Sequence, residues 1–505
     1  MTTLDAWFYR TARRQPDAPA VEVAGERLTY GRLAALADRL AALVAAVGAG
    51  PRAVGLVASR SVTAYAGYLA ALRAGATVVP VSVDAVVERT VAACTAARVD
   101  LVIADAAGAP AGAALARALG VPALDLPGIG WCAGLPDNVA PARITGPDDV
   151  AYLLFTSGST GQAKGVPIRH RQLAHYLPYC ADRYAMAPGA RTSQTFELTF
   201  DPSVFDLFVT WAGGGTVVVP RREDLLNPAR FVAERRLTHW FSVPSVVSLA
   251  RRLRALHPAS MPTLRWSLFA GEQLTVEQAA AWSRAAPAST VENLYGPTEL
   301  TVTCTAYRLP RDPADWPVTG NGTVPIGRPY PHLEATVHDG ELWMRGPQRF
   351  DGYLDPAHNA SAFAPDGTGN GNGHVAGTPG GADWYRTGDR VRWQDGDLVH
   401  LGRVDDQLKI NGFRVEPAEV ESALRAVPGV LDVAVVGVDA GDGRLRLHAA
   451  YCGERRPEGE LVEHLRDRLP PYMVPARVEH LGELPTNANG KVDRRRLRAL
   501  WSATG

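Results

Sequence analysis

Between Phe155 and Val166 the chain reads Phe-Thr-Ser-Gly-Ser-Thr-Gly-Gln-Ala-Lys-Gly-Val. Every residue from Thr156 to Gly161 is Gly, Ser or Thr, and Lys164 follows. Small residues let a backbone approach an anion closely, and successive N–H and hydroxyl donors can wrap a phosphate. Lys164 would add positive charge. The spacing is not that of a P-loop, because Gly165 follows Lys164 where a Ser or Thr would hold magnesium. By itself, a Gly/Ser/Thr run is equally a flexible surface loop.

Four further segments carry side chains capable of chemistry, and each has a plainer reading. Asn293-Leu-Tyr-Gly-Pro-Thr-Glu299 offers a flat tyrosine face for a base, with Thr298 and Glu299 as phosphate and magnesium contacts; it is also a Gly-Pro turn. Tyr385-Arg-Thr-Gly-Asp389 reads as a turn whose carboxylate accepts bonds from ribose hydroxyls, or as a turn former alone. Arg403, next to Gly402, reaches for phosphate or ribose, while Asp405 absorbs a backbone rotation; alternatively 403–409 is a solvated linker. Pro485-Thr-Asn-Ala-Asn-Gly-Lys491 presents a lysine after Asn-Gly, which in isolation is an exposed hairpin residue.

The elements that must position these residues alternate between strand and helix patterns. A helix is expected near Leu4–Gln15, a hairpin around Val21–Thr29, and an amphipathic helix in Leu33–Val47, which carries Asp38 and Arg39. Apolar runs at Ala53–Val57, Thr77–Val81, Leu101–Ile103, Ala151–Phe155, Thr216–Val219, Trp240–Val243 and Trp266–Phe269 read as strands of a parallel-paired α/β sheet. The loop after Phe155 then lies at a strand's carboxyl end, where doubly wound sheets bind ligands, and a helical pattern follows Pro167. The glycine-rich stretch within 366–383 reads as a mobile insertion. Beyond Gly402 a compact unit is expected: Lys409–Val415, a helix Pro417–Arg425, and strands Val430–Val438 and Leu445–Cys452.

A chain of 505 residues exceeds one compact core, which implies a large domain at 1–403 and a small one at 404–505. The formal net charge of +0 argues against nucleic acid or an anionic membrane as principal partner. Cys94, Cys132, Cys180, Cys304 and Cys452 show neither metal-ligand spacing nor a disulfide framework, and read as reduced thiols. With no signal pattern and no membrane span, a soluble cytoplasmic protein is expected.

Taken together and in this order, the five segments resemble the adenylate-forming superfamily, in particular the amino-acid adenylation domains of nonribosomal peptide synthesis. The resemblance runs from Leu28-Thr-Tyr-Gly-Arg-Leu33 to Lys491. It includes Arg73-Ala-Gly-Ala-Thr-Val-Val-Pro80, Phe200-Asp-Pro-Ser-Val204 and Gly340-Glu-Leu-Trp-Met-Arg-Gly346. It implies a large α/β core of layered sheets and helices under a small, mobile α+β C-terminal domain. It also implies activation of a carboxylate with Mg-ATP to an acyl-adenylate, then transfer to a thiol.

By the same resemblance Thr156, Ser157, Gly158, Ser159 and Thr160 hold the β- and γ-phosphates with Lys164. Asn293, Tyr295 and Gly296 contact adenine, Thr298 the α-phosphate and Glu299 magnesium, while Asp389 and Arg403 hold ribose. Lys491 bridges the substrate carboxylate and the α-phosphate. The small domain rotates about Asp405, bringing the Lys409–Arg414 loop to the site for thiol transfer. The fourteen residues after Lys491 leave no room for a carrier domain. This implies a free-standing ligase loading the phosphopantetheine of a separate carrier protein, or else a piece cut from a longer synthetase. A small accessory protein is a further implied partner.

Asp201 is implied to pair with a substrate α-amino group, which favours an amino acid; read alone, it is a helix N-cap beside Pro202. Pro202, Phe205, Phe241, Leu268, Ala270, Leu294, Val302 and Thr303 are the other implied wall positions. Apolar walls exclude charged substrate side chains, and the set resembles that of L-proline:carrier-protein ligases. L-Proline is the first expectation, with leucine, isoleucine, valine or alanine next. An acyl-CoA ligase and a non-catalytic nucleotide-binding protein are the alternatives from other classes.

Overall fold

The computed structural model describes residues 2–47, 50–84, 86–128, 130, 145–156, 163–365, 379–404, 407–439, 444–485 and 492–502. Two large sheets dominate its first four hundred residues. The six-stranded sheet runs Ala123–Asp125, Leu101–Ala104, Ala53–Val57, Thr77–Val81, Val150–Thr156, Lys164–Arg169, and every pair but the last is parallel. Strands such as Ala53–Val57 are buried throughout, so they read as unbroken apolar runs instead of alternating ones. The nine-stranded sheet carries a parallel core that includes Arg191–Ser193, His239–Ser242, Trp266–Phe269 and Thr290–Tyr295.

The helix Val62–Arg73 is clasped between these sheets, and its buried residues run without a break from Val62 to Leu72. A helix apolar on all sides requires such a place. Tyr65 Oη donates to Gln194 Oε1 at 3.1 Å, toward the nine-stranded sheet. On the opposite side, a Cβ at Gly67 would stand 3.0 Å from Leu56 of the six-stranded sheet. Glycine is the size limit there.

The helix expected after Pro167 is present but starts a few residues later. Lys164–Arg169 is an antiparallel edge strand with Val166 and Ile168 fully buried, and the helix begins only at His170–Arg183. The two-residue period of that burial selects a strand, and Pro167 is tolerated because the strand lies at the sheet's edge. The turn expected at Tyr385–Asp389 is likewise a stretch of the strand Trp384–Gln394. It belongs to a five-stranded antiparallel sheet that the sequence reading did not anticipate. Gly388, at φ +71°, interrupts the regular pleat, which is why the segment resembles a turn locally.

The C-terminal part has a core of its own, built from Val420, Leu424, Val435, Leu447, Leu461 and Met473 among others. A hairpin, Leu408–Ile410 with Phe413–Val415, precedes the helix Pro417–Arg425. Val430–Asp439 and Leu445–Gly453 then pair antiparallel, and Arg477–His480 adds a parallel third strand. The chain is therefore a mixed α/β fold with a large N-terminal and a smaller C-terminal domain. Asp405 and the glycine-rich stretch at 366–378 lie outside the described residues. Cys94, Cys180, Cys304 and Cys452 are buried free thiols, and Cys132 is outside the described residues. No helix among the described residues is long and apolar enough to cross a membrane.

Candidate active site

A cavity of about 860 Å³ opens at the carboxyl ends of Val150–Thr156 and Trp266–Phe269 and beside the end of Thr290–Tyr295. Of the residues singled out from the sequence, Thr156, Asp201, Pro202, Ala270, Gly296, Thr298, Val302, Asp389 and Arg403 line it. They come from strand ends and turns up to about 250 residues apart, which is how a scaffold of sheets gathers loop residues into one place. Phe205, Phe241, Leu268, Leu294 and Thr303 are buried in the layer behind. Phe241 supports the wall indirectly: its ring meets Phe205 and the cavity-lining Phe196, each at 4.9 Å. Thr303 Oγ1 is engaged by the hydroxyls of Tyr176, at 3.1 Å, and Tyr330, at 2.8 Å.

On one side of the cavity stands a carboxylate with a full set of partners. Asp389 Oδ2 accepts from Tyr295 Oη at 2.6 Å, and its Oδ1 lies 3.1 Å from both His400 Nε2 and Arg403 Nη1. Burial alone would raise this carboxyl, but Arg403 and His400 hold it far below the usual carboxylate range. Asn293 is anchored through its amide nitrogen. Its Nδ2 donates to the carbonyls of Val324, at 3.0 Å, and Pro325, at 2.9 Å.

Asp201 stands in a different environment. It begins the helical turn Pro202–Val204 yet makes no capping bond, and its buried Oδ2 has no hydrogen-bond partner among the described residues. Burial, helped by the nearby negative charge of Glu299, pushes its carboxyl up to about 7, against the opposing effects of Thr298 and Lys409. A π-turn, Phe205–Val209, follows at once and widens the helix beside the site.

Glu299 is fully buried on the 3₁₀ turn Thr298–Leu300. Its Oε1 accepts from Tyr353 Oη at 2.7 Å and from Arg414 Nη1 at 2.9 Å, while Oε2 has no partner among the described residues. Burial opposes its ionisation, but Arg414 and Tyr353 outweigh that and hold the carboxyl below its ordinary value. The turn is braced against strain. Thr301 and Val302, both β-branched, adopt φ of 58° and 71°, a region such residues rarely enter. Gln348 Nε2 clamps them through the carbonyls of Leu300, Thr301 and Thr303 at 2.7–3.1 Å.

Arg414 belongs to the small domain, and its hairpin reaches into the cavity. Lys409, Phe413 and Arg414 line the cavity, as does Tyr472. Phe413 is held edge-on to Phe200 at 4.1 Å and stacked on Tyr472 at 3.8 Å. Lys409 Nζ lies 5.8 Å from the Tyr295 ring; burial lowers its pKa, with Asp389 opposing. Phe196, Tyr353, Gln348 and the paired Glu299–Arg414 were not reached as such by sequence reasoning. Only the Lys409–Arg414 loop carried a signal, through the resemblance. Lys164 sits at the strand edge, its Nζ 5.4 Å from the Tyr353 ring. Ser157, Gly158, Ser159, Thr160 and Lys491 lie outside the described residues.

Residues 8–354 match the AMP-binding enzyme family and residues 419–491 the AMP-binding enzyme C-terminal domain. The chain is 37% identical to phosphinothricin tripeptide synthetase PhsC of Streptomyces viridochromogenes over 98% of its own length, spanning 45% of that protein. It is 36% identical to an L-proline–[L-prolyl-carrier protein] ligase of Streptomyces coelicolor, over 73% of this chain and 69% of the relative. Among solved structures, IdnL7 is 41% identical with a TM-score of 0.71 and 99% of both chains covered. The Vibrio cholerae adenylation domain AlmE, in complex with glycyl-adenosine-5'-phosphate, is 26% identical with a TM-score of 0.82, covering 99% of this chain and 98% of that one. The chain thus spans less than half of several synthetases that it matches almost end to end. With the cavity at the strand ends and the small domain closed over it, these matches identify the chain as an AMP-binding, adenylate-forming ligase of the nonribosomal peptide synthetase type.

Proposed function

We propose that the chain activates a small apolar amino acid, L-proline first, as its aminoacyl adenylate and passes it to the phosphopantetheine thiol of a carrier protein. The observation that carries this reading is Asp201: a buried carboxylate lining the cavity, its Oδ2 without a hydrogen-bond partner among the described residues. A substrate ammonium would supply the missing cation, and a fatty or aryl acid would leave it missing. Beside Asp201, the lining residues Pro202, Phe196, Ala270 and Val302 offer no charge to pair with a substrate side chain, which favours an apolar amino acid. Leucine, isoleucine, valine and alanine are the next candidates.

In the first step a carboxylate oxygen of the substrate attacks the α-phosphorus, and the bond to pyrophosphate breaks. Thr156 to Thr160 and Lys164 hold the outer phosphates, Thr298 the α-phosphate, Asn293, Tyr295 and Gly296 the adenine, and Asp389 with Arg403 the ribose. Asp389 arrives already paired, so its orientation is set before the nucleotide enters. Lys491 neutralises charge that builds between two anions, a contribution of roughly 3–4 kcal/mol for a well-placed group. Magnesium suits Glu299: it commonly takes one or two carboxylates and completes its shell with phosphate and water, and Oε2 is a buried oxygen without a partner among the described residues. Bound there, it would neutralise phosphate charge.

In the second step the thiol sulfur attacks the acyl carbon and gives up its proton, while the C–O bond to AMP breaks and AMP departs. The small domain, 404–505, turns about Asp405 between the two steps. The observed seating of Lys409 and Phe413 in the cavity supports an orientation suited to this second step.

The test is amino-acid-dependent ATP–pyrophosphate exchange over a panel including L-proline, D-proline, the aliphatic amino acids and simple acids, with Lys491→Ala as control. Exchange with L-proline, lost in the variant, supports the full reading. Exchange with alanine or leucine instead keeps the chemistry and overturns the assignment to proline; response only to simple acids overturns the role of Asp201. A second reading concerns the acceptor. One similar structure, 25% identical with a TM-score of 0.84, is an amide bond synthetase, so amines belong beside carrier thiols in the transfer assay.

A further inference from the structure

Glu299 is a buried carboxylate that needs a cation at every stage of the reaction, because an unpaired buried charge is strongly destabilising. With the small domain in the present orientation that cation is Arg414, 2.9 Å away and 115 residues further along the chain. The guanidinium does not come alone. It is carried on the Phe413–Val415 strand, whose neighbour Phe413 is wedged between Phe200 and Tyr472. The adjoining tip is fitted just as closely, since a Cβ at Gly412 would stand 2.6 Å from Val243 Cγ1. Arg414 therefore cannot leave Glu299 by a large movement while the hairpin stays seated. A metal ion at the same carboxylate would face the guanidinium across a few ångströms in a site shielded from water, where like charges repel strongly.

We propose that Arg414 is a positioning residue that exchanges with the divalent cation at Glu299, so that seating of the 408–415 hairpin for acyl transfer is coupled to loss of the metal that accompanies pyrophosphate. This rests on the reading of Glu299 as the metal's carboxylate. Before adenylation Glu299 is satisfied by the metal and the hairpin stands away. Once pyrophosphate and its metal depart, Glu299 is left uncompensated, and Arg414 restores the balance by bringing Lys409 and Phe413 into the cavity. The order of the two half-reactions is thereby written into one carboxylate with two alternative cations.

The exchange is tested by binding, without turnover. Calorimetry gives the dissociation constant of α,β-methylene ATP, which cannot be cleaved at the reacting bond, with MgCl₂ and with EDTA; the ratio of the two measures how firmly the cation is held. Arg414→Met, which removes the competing charge and keeps much of the side chain's length, should raise that ratio roughly tenfold, within the range of coupled sites. Arg414→Lys, which keeps the charge, should stay close to the unaltered protein, and thermal melting checks that each variant is folded. A ratio in Arg414→Met within twofold of the unaltered protein overturns the exchange. Glu299→Gln separates the two readings. If it lowers the ratio while Arg414→Met does not raise it, the exchange alone fails. If it leaves the ratio unchanged, Glu299 does not hold the metal and both readings fall.

Discussion

Asp389 and Asp201 line the same cavity, and the protein treats them oppositely. Asp389 has Tyr295, His400 and Arg403 around it and is held ionised far below the usual range. Asp201 has an oxygen with no partner among the described residues and a carboxyl pushed up to about 7. Neither carboxylate is solvated, so what separates them is whether the protein supplies the counter-charge. Where the protein supplies it, the site is built in advance. Where it does not, the proposed reading has a ligand complete the site, at the expense of stability in the empty enzyme. A buried acid can thus mark either scaffold or substrate contact, and its partners tell which.

The comparison is most directly broken at Asp201. Asp201→Asn keeps the shape and removes the charge, and amino-acid-dependent exchange should fall by roughly a hundredfold to a thousandfold, the loss of a buried ion pair of about 3–4 kcal/mol. The same variant should melt higher than the unaltered protein at pH 8, where the empty enzyme carries an uncompensated carboxylate. A drop in both activity and melting temperature would mean that Asp201 is scaffold. Asp389→Asn should behave the other way. It removes the charge that Arg403 and His400 both face and should destabilise the fold by roughly 3 kcal/mol in urea unfolding, whether or not substrate is present.

A pH titration distinguishes them more gently. A carboxyl raised in the folded state binds its proton more tightly there than in the unfolded chain. Stability from this group is therefore full below the ordinary carboxylate range, is lost as pH rises through about 7, and is level above. On the proposed reading, binding of a substrate ammonium has the opposite sign, because it requires the carboxylate. The KM for the amino acid should rise about tenfold for each pH unit below about 7, a dependence absent in Asp201→Asn. The smallest expected effect is at Tyr295→Phe, which removes one of three partners of Asp389 and should lower stability by about 1.5 kcal/mol with the acid still ionised. A loss as large as that of Asp389→Asn would show that the hydroxyl, and not Arg403, holds the carboxylate.

Much of the fold was legible. The strands Ala53–Val57, Thr77–Val81 and Trp266–Phe269 coincide with the apolar runs that announced them, since buried parallel strands have little alternation to obscure them. The helix Pro417–Arg425 is likewise bounded as expected, with proline in its first turn and arginine at its end. The failures have a common cause. Lys164–Arg169 and the stretch around Asp389 contain proline or glycine, which locally signal a break, and in both cases pairing with a neighbouring strand overrode that signal. Asp201 beside Pro202 has the residue types of an N-cap, yet it makes no capping bond.

The sequence by itself determined the strand–helix alternation, the family, and the residue types available for phosphate, base and ammonium. Those follow from local pattern and from the order of short segments. Only the tertiary structure decided which acid would be satisfied and which left wanting, because Tyr295 reaches Asp389 across 94 residues and Arg414 reaches Glu299 across 115. It also decided that Phe196 would face the cavity while Phe205 and Phe241 stand behind it. Partners so far apart in the chain are brought together by packing and charge in three dimensions, and no period or spacing along one strand or helix encodes them.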